Sequence, residues 1–248
     1  MYHGTMASLV TVVGVCLAGG GYFVALLVLR WRNWSAPKYS RALLLRVFAL
    51  LWLLAVLQLG YVRFVENRPL DSIGLQPGSP LVFAFGVVVG FLLLAVLSAI
   101  PEVLLQQFGR ALPDESGLFL LAQPPHWKVA VALSAGVPEA ILFYGYLIER
   151  VIELTGNPLW AVGLSTLLAA RASLPRRAEI RVERIPLAIG GALAPALLYL
   201  WFRSVLVVAG ATTLTSALVL LLNAPEDALF GRELSDLDDR VARAIRNS

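Results

Sequence analysis

The chain has 248 residues, of which 58% are hydrophobic and only 15% are charged, and its mean hydropathy is +0.77. A soluble protein of this length does not have such a composition, whereas repeated long apolar runs are typical of a polytopic membrane protein. The net charge of +4 comes mostly from a few short basic segments between apolar runs, which argues against a nucleic-acid partner.

Seven apolar runs predict membrane-spanning helices, because most have about the 20 residues that a helix needs to cross the hydrocarbon core. Their continuous apolar character excludes the alternating pattern of a β-barrel. The predicted fold class is therefore an all-α, polytopic transmembrane helical bundle of about seven spans. The runs cover residues 7–29, 42–62, 81–100, 129–148, 159–170, 185–202 and 204–222.

The fifth run and the segment after the third run differ from the other predicted spans. The fifth run is short, so we expect it to be tilted or partly buried in the bundle. The third run is closed by Pro101 and Glu102, and the partly amphipathic residues 103–111 after it predict an eighth, interfacial helix.

The predicted spans divide the chain into three parts. Residues 1–62 form an N-terminal pair of transmembrane helices, residues 63–223 form a membrane core, and residues 224–248 form a tail. The core begins with a polar loop, residues 63–79, which is rich in turn-forming residues. The tail has the pattern of either a short amphipathic helix or a disordered segment.

The distribution of lysine and arginine predicts the orientation. Segments on one side of the predicted membrane hold 15 of the 20 basic residues. The positive-inside rule then gives a multi-pass protein of the plasma membrane, with its N-terminus outside and its C-terminus in the cytosol.

Two features inside the spans concern packing and redox chemistry. Gly86 and Gly90 form a small-residue face in the third span, which predicts close helix packing inside the bundle, with dimerisation as the alternative. The single cysteine, Cys16, excludes disulfides and cysteine metal sites within one chain.

Glu139 is the most informative residue, because it lies within the apolar fourth span. A carboxylate at that depth costs several kcal/mol unless it is paired, protonated or hydrated, so it marks a candidate functional site by default.

Residues 139–147 read Glu-Ala-Ile-Leu-Phe-Tyr-Gly-Tyr-Leu. This run resembles the first motif of the CPBP family of intramembrane metalloproteases, which includes the type II CAAX prenyl proteases. The family motif is a pair of glutamates, a short gap and then Phe-Arg-Gly-Tyr-Leu. Glu139 matches the first glutamate, whereas Ala140 replaces the second glutamate and Tyr144 replaces the arginine.

Further segments extend the resemblance over roughly residues 63–223. Residues 68–75 are similar to the loop before the family's core, and residues 155–161 are similar to the entry to its second motif helix. The second motif, Phe-x-x-x-His, aligns best with Leu167 and Arg171. The third, His-x-x-x-Asn, aligns with Thr212 and Ser216.

The resemblance implies an active-site position but not an intact active site. In the family, the glutamates and histidines are thought to activate a water, with a metal in at least some members. A metal site needs three or more convergent donors, and neither His3 nor His126 falls on a motif position. We therefore expect no metal and no other cofactor. Five motif side chains are replaced, by Ala140, Tyr144, Arg171, Thr212 and Ser216.

Two arrangements account for a buried Glu139 without catalysis. In the first, Arg171 lies at the cytosolic end of the fifth span and pairs with Glu139 through bidentate hydrogen bonds. In the second, Glu139 is protonated and bonds to a hydroxyl group. The candidate hydroxyls are those of Tyr144, Thr212, Thr213 and Ser216.

The sequence favours a catalytically inactive relative of this family that acts as a membrane-embedded binding or scaffolding protein. Its environment is the lipid bilayer, and the resemblance suggests a prenyl group, a lipid or a transmembrane peptide as ligand. The alternative is an active intramembrane metalloendopeptidase that uses Glu139 and a zinc or other divalent metal. A small transporter or channel is disfavoured because intramembrane polar residues are sparse and no repeat is present. The oligomeric state does not follow from the sequence.

Overall fold

A computed structural model describes residues 2–32, 41–76, 78–107, 120–121, 123–173 and 184–222. Most of these residues lie in helices, and no strand occurs among them. The α-helices are α1 (Tyr2–Arg32), α2 (Arg41–Gly60), α3 (Pro80–Gln107), α4 (Pro125–Glu139), α5 (Ile148–Thr155), α6 (Pro158–Ser173), α7 (Arg184–Phe202) and α8 (Val205–Leu222). Shorter pieces are a π-helical turn (Tyr61–Val65), a 3₁₀ helix (Leu70–Ile73) and a π-helical segment (Ala140–Leu147), called the π segment below.

Five helical stretches are long and apolar enough to cross a membrane. They are Arg41–Val65, Pro80–Leu97, Pro125–Thr155, Ile185–Phe202 and Val205–Leu222, and they match the second, third, fourth, sixth and seventh predicted spans. The first predicted span contains a shorter apolar stretch, Ser8–Val24. The fifth corresponds to α6, whose 16 residues give a helix about 24 Å long. The all-α architecture is thus confirmed for the described residues, with five helices long and apolar enough to cross a membrane, while the count of seven spans stays a prediction.

Helix α3 differs from its predicted span at the C-terminal end. It continues through Pro101 to Gln107 instead of stopping at the proline. A proline removes one backbone hydrogen bond, but helices in membranes tolerate it where neighbouring groups restore the lost bonding. Residues 103–107 of the predicted interfacial helix therefore belong to α3. The rest of that prediction, and the predicted tail 224–248, lie outside the described residues.

The helix Pro125–Thr155, made of α4, the π segment and α5, is the central helix of the bundle. Inside its apolar window 72% of the residues are buried, compared with 17–33% in the other four spanning helices. Its 31 residues make it about 46 Å long, which exceeds the hydrocarbon thickness of about 30 Å. The central helix is therefore longer than a crossing perpendicular to the membrane requires.

The predicted small-residue face of α3 is used for packing inside the bundle. A methyl group at Gly86 would lie 2.7 Å from the side chain of Val207, and one at Gly90 would lie 2.5 Å from Leu198 and 2.7 Å from Ala211. Glycine is needed here because α7 and α8 approach the backbone of α3 too closely for a side chain.

Candidate functional site

Glu139 is the last residue of α4 and immediately precedes the π segment. Pro138 is buried inside the helix and has no N–H to donate, so it breaks the regular bonding at this point. In the π segment that follows, the Ser165 hydroxyl of α6 donates a 2.7 Å hydrogen bond to the carbonyl of Phe143. Single π turns within α-helices are frequent at functional sites, which makes the irregularity beside Glu139 notable.

Helix α8 packs antiparallel to the central helix along the glycines that flank Glu139. A methyl group at Gly145 would lie 2.3 Å from Val205, and one at Gly136 would lie 2.7 Å from the Thr213 hydroxyl. These two contacts fix the register of the helix pair. Glu139 accordingly lies at the level of Gly210, about one turn from Thr213.

The structure brings three of the replaced motif positions close to Glu139. Ala140 is fully buried, and Tyr144 is 2% exposed. Tyr144 lies near enough to Glu139 for their charges to interact. Thr212 is also close, because its hydroxyl is 2.9 Å from the position of a methyl group on Gly136. Ser216 lies one turn beyond Thr212 in α8, about 9 Å along the axis from the level of Glu139.

Arg171 does not pair with Glu139, contrary to the first of the two arrangements. The side chain of Arg171 is exposed, and no ion pair joins the two residues although both are described. The reason is the rotation of α6 about its axis. Gly163, Leu167 and Arg171 follow each other at spacings of four and share the outward face, with Leu167 64% exposed. The alignment of Leu167 and Arg171 with the second family motif therefore points to the wrong face of the helix.

The hydroxyl network of the second arrangement is not formed either. Thr212 donates to the carbonyls of Val208 and Ala209 in its own helix, at 2.9 and 3.2 Å. The buried hydroxyl of Thr213 has no hydrogen-bond partner. Within the described part of the chain, no hydrogen bond or ion pair reaches the carboxyl group of Glu139.

The side chains around Glu139 do not fit a metal ion. Zinc in proteins takes four ligands drawn mainly from cysteine, histidine and carboxylate groups, and catalytic sites keep three of them. Glu139 is accompanied by alanine, a tyrosine and threonine hydroxyls instead. Across the described ranges, no group of three or more His, Cys, Asp and Glu residues could hold a metal.

A second polar cluster, which the sequence did not predict, lies at the α5 end of the central helix. Arg150 is fully buried and contacts Glu66, whose side chain is 2% exposed. The guanidinium group donates to Glu66 Oε2 from Nε at 2.9 Å and from Nη2 at 2.7 Å. It also donates to Ser72 Oγ at 3.0 Å, and Tyr146 donates to the other oxygen of Glu66 at 2.6 Å. This cluster, centred on Arg150, holds residues 66–72 against the central helix.

The cluster reaches the surface through further ion pairs. Arg150 also contacts Glu153 at 2.8 Å, and Arg68 contacts both oxygens of Glu153 at 2.6 Å. The hydrogen bonds to Glu153 raise the pKa of Arg68 above its ordinary value. On the neighbouring side of α5, Arg203 contacts Glu149 at 2.6 Å.

The segment predicted as a polar loop is therefore docked on the bundle. Ile73 is fully buried, and the carbonyl of Gly74 accepts a 3.0 Å hydrogen bond from the N–H of Val205. Gly74 has a φ of +77°, which glycine adopts without the steric cost of a side chain. A sequence signal for the cluster does exist. The Glu-Arg-x-x-Glu pattern of residues 149–153 places an arginine and a glutamate one helical turn apart beside an apolar run.

No protein-family model, no curated protein and no solved structure matches this chain. The resemblance to the CPBP family thus rests on the sequence segments described above and stays a prediction.

Proposed function

We propose that this chain is a membrane-embedded binding protein with a CPBP-like core that does not cleave its ligand. The observation that carries the proposal is the environment of Glu139. Its carboxyl group stands among Ala140, Tyr144 and the threonines of α8, and these supply neither a second carboxylate nor an imidazole. A single carboxylate without such partners is a poor activator of water.

The same environment supports binding. The buried hydroxyl of Thr213 has no hydrogen-bond partner among the described residues, and Glu139, about one turn away and only partly buried, accepts no hydrogen bond from them. Buried polar groups are nearly always hydrogen-bonded in native proteins, so the Thr213 hydroxyl points to a partner beyond the described residues. A ligand that donates a hydrogen bond to the carboxyl group and accepts one from the hydroxyl suits this pair.

We propose a prenyl group, another lipid or a transmembrane peptide as the ligand class, because most of the side chains around the site are apolar. The eight residues of the π segment are all buried, and Phe143 and Tyr22 pack edge to face at 5.4 Å between ring centroids. A peptide amide in an apolar chain would present the required donor and acceptor together.

The second candidate function is an active intramembrane metalloendopeptidase that uses Glu139. The observation in its favour is the π segment directly after Glu139, since such irregular turns often accompany functional sites. Under this alternative a zinc or other divalent ion would require further ligands besides Glu139.

For the location we propose the plasma membrane, with the N-terminus outside and the C-terminus in the cytosol. The bias of lysine and arginine supports this orientation.

A cleavage and binding assay tests the proposal. The full chain is reconstituted in vesicles with a farnesylated CAAX-type peptide or with a fluorescent transmembrane peptide, and Glu139→Gln serves as the matched variant. We expect both peptides to remain intact, with the same background for the two proteins. We also expect Glu139→Gln to bind one of the two peptides with altered affinity, because the substitution changes the hydrogen bonding of the site.

Chelator-sensitive cleavage that Glu139→Gln abolishes would establish the metalloendopeptidase instead. If neither peptide is bound by either protein, a prenyl or peptide ligand is ruled out for this site.

A further inference from the structure

A groove of about 370 Å³ lies between α2 and α4, on a different face of α4 from the one that packs on α8. Its floor is apolar and includes two alanines, one on each helix, which leave space between larger neighbours. Leu45 and Ala49 of α2 and Ala130 of α4 are exposed on the outer surface of the bundle. The lining comprises Leu45, Phe48, Ala49, Trp127, Ala130 and Ser134, with His126 at one end.

A cation is held at the same end of the groove. Arg41, the first residue of α2, donates from Nε to the side-chain oxygen of Gln123 at 2.8 Å, and Gln123 is 93% buried. The guanidinium carbon of Arg41 also lies 5.9 Å from the ring centroid of Trp127. These two contacts orient the guanidinium group, and within the described chain its terminal NH₂ groups have no acceptor.

The other end of the groove is closed and uncharged. Trp52 of α2 donates from its indole N–H to the hydroxyl of Ser134 at 3.3 Å, which bridges the two helices. The groove therefore has one cationic end, formed by Arg41 beside His126, and an apolar body that runs toward the middle of two spanning helices. This polarity matches that of a lipid, whose charged headgroup lies at the interface and whose chain lies in the hydrocarbon.

We propose that the groove between α2 and α4 binds one anionic phospholipid, with its phosphate at Arg41 and an acyl chain along Ala49 and Ala130. Arginine suits this role because its planar donor fork matches phosphate oxygens, and basic pockets between membrane helices bind anionic headgroups. Trp127 lies beside the proposed phosphate position, and tryptophan is enriched at the interfaces of membrane proteins. The proposal is independent of Glu139 and of the proposed function, since no groove residue belongs to that site.

Lipid competition on the full chain tests the proposal. The purified protein, with Trp31, Trp34, Trp160 and Trp201 changed to phenylalanine, is placed in bicelles that contain brominated phosphatidylglycerol or brominated phosphatidylcholine. Quenching of the remaining tryptophan fluorescence then reports a bound chain near Trp52 and Trp127. We expect about a fivefold preference for phosphatidylglycerol, the factor that one basic residue near an anionic headgroup supplies. Arg41→Gln is expected to bring the preference close to one, and Arg41→Lys to retain part of it.

A second pair of variants separates the acyl-chain site from general charge attraction. Ala130→Phe fills the groove and is expected to reduce quenching by both brominated lipids, whereas Ala84→Phe, at an exposed alanine of α3, is expected to leave quenching unchanged. Equal quenching by the two lipids in the protein with an unchanged groove would overturn the proposal. Displacement of phosphatidylglycerol by inorganic phosphate alone would overturn it as well, since the site would then bind a free anion. Unchanged quenching by both lipids in Ala130→Phe would exclude the groove as the lipid site.

Discussion

Arg150 carries its charge inside the protein because acceptors surround it. Its donors reach Glu66, Glu153 and Ser72, and its guanidinium lies 5.4 Å from the ring centroid of Tyr146. A buried charge of this kind is costly to desolvate, and the pair is tolerated only when nearly every donor has an acceptor. Removing one member leaves the other charge buried and unpaired. A substitution in this network is therefore expected to cost far more stability than one in a surface ion pair.

We expect the substitution Arg150→Met to destabilise the protein strongly. Since Glu66 would be left buried without its cation, we expect a loss of about 3–5 kcal/mol in the free energy of unfolding, measured by denaturant titration in mixed micelles. Arg203→Met is the matched control, because Arg203 also pairs with a glutamate of α5 but is 48% exposed. For a pair so exposed we expect a loss of only about 0–1 kcal/mol in the free energy of unfolding.

A double variant checks that the loss comes from the pair. Arg150→Met combined with Glu66→Gln should lose clearly less than the sum of the two single variants, because the second change removes the stranded charge. Additive losses, or equal losses for Arg150→Met and Arg203→Met, would contradict this description of the network.

The π segment shows how one helix acts as the centre of the bundle. It follows Pro138 in the middle of the central helix, and α1, α5, α6, α7 and α8 all contact it. Gly145 is a point of close approach, since α8 and the 3₁₀ helix both meet the backbone there. The irregular helix and its glycine therefore hold Glu139 at a fixed depth and rotation relative to α8.

For the π segment, we expect the substitution Gly145→Ala to destabilise the bundle. The added methyl group would lie 2.3 Å from Val205 and 2.9 Å from the carbonyl oxygen of Ile73, so one of them must shift. We expect a loss of about 1–3 kcal/mol in the free energy of unfolding, which is typical of overpacking. This loss is measured as a lower thermal unfolding temperature in detergent. Gly163→Ala is the control, because no atom lies within 4 Å of the added group. There we expect no loss, or a gain of up to about 1 kcal/mol from helix propensity.

At the scale of the whole molecule, the two polar features lie toward opposite ends of the central helix. Arg41 and Gln123 are beside the start of α4, whereas Glu66, Ser72 and Arg150 meet at α5. Since the central helix is long enough to cross a membrane, the two ends are expected to face different compartments.

Cysteine labelling tests this arrangement and the predicted orientation together. In a Cys16→Ser background, Asp71→Cys and Pro125→Cys place a thiol at exposed positions near the two ends of the central helix. We expect a membrane-impermeant maleimide to label Asp71→Cys in intact cells and to label Pro125→Cys only after permeabilisation. Labelling of both variants from the same side would contradict a spanning central helix, and the reverse pattern would contradict the predicted orientation.

The positions of the apolar helices follow from the sequence, because span length and hydropathy are local properties of the chain. The sequence also located Glu139 and the small-residue face of α3 correctly. It did not determine which face of each helix points inward. In a bilayer the lipid is as apolar as the protein interior. The sequence therefore does not predict that Leu167 of α6 faces outward, as it does in the structure.

The partners of the charged residues depend on how the helices pack in three dimensions. Arg171 was expected to meet Glu139, but the rotation of α6 turns Arg171 outward, and Glu139 has no ion-pair partner among the described residues. Arg150 instead pairs with Glu66, 84 positions away in the chain. Such pairing depends on how the docked segment and the central helix pack together, and periodicity within either segment does not encode it.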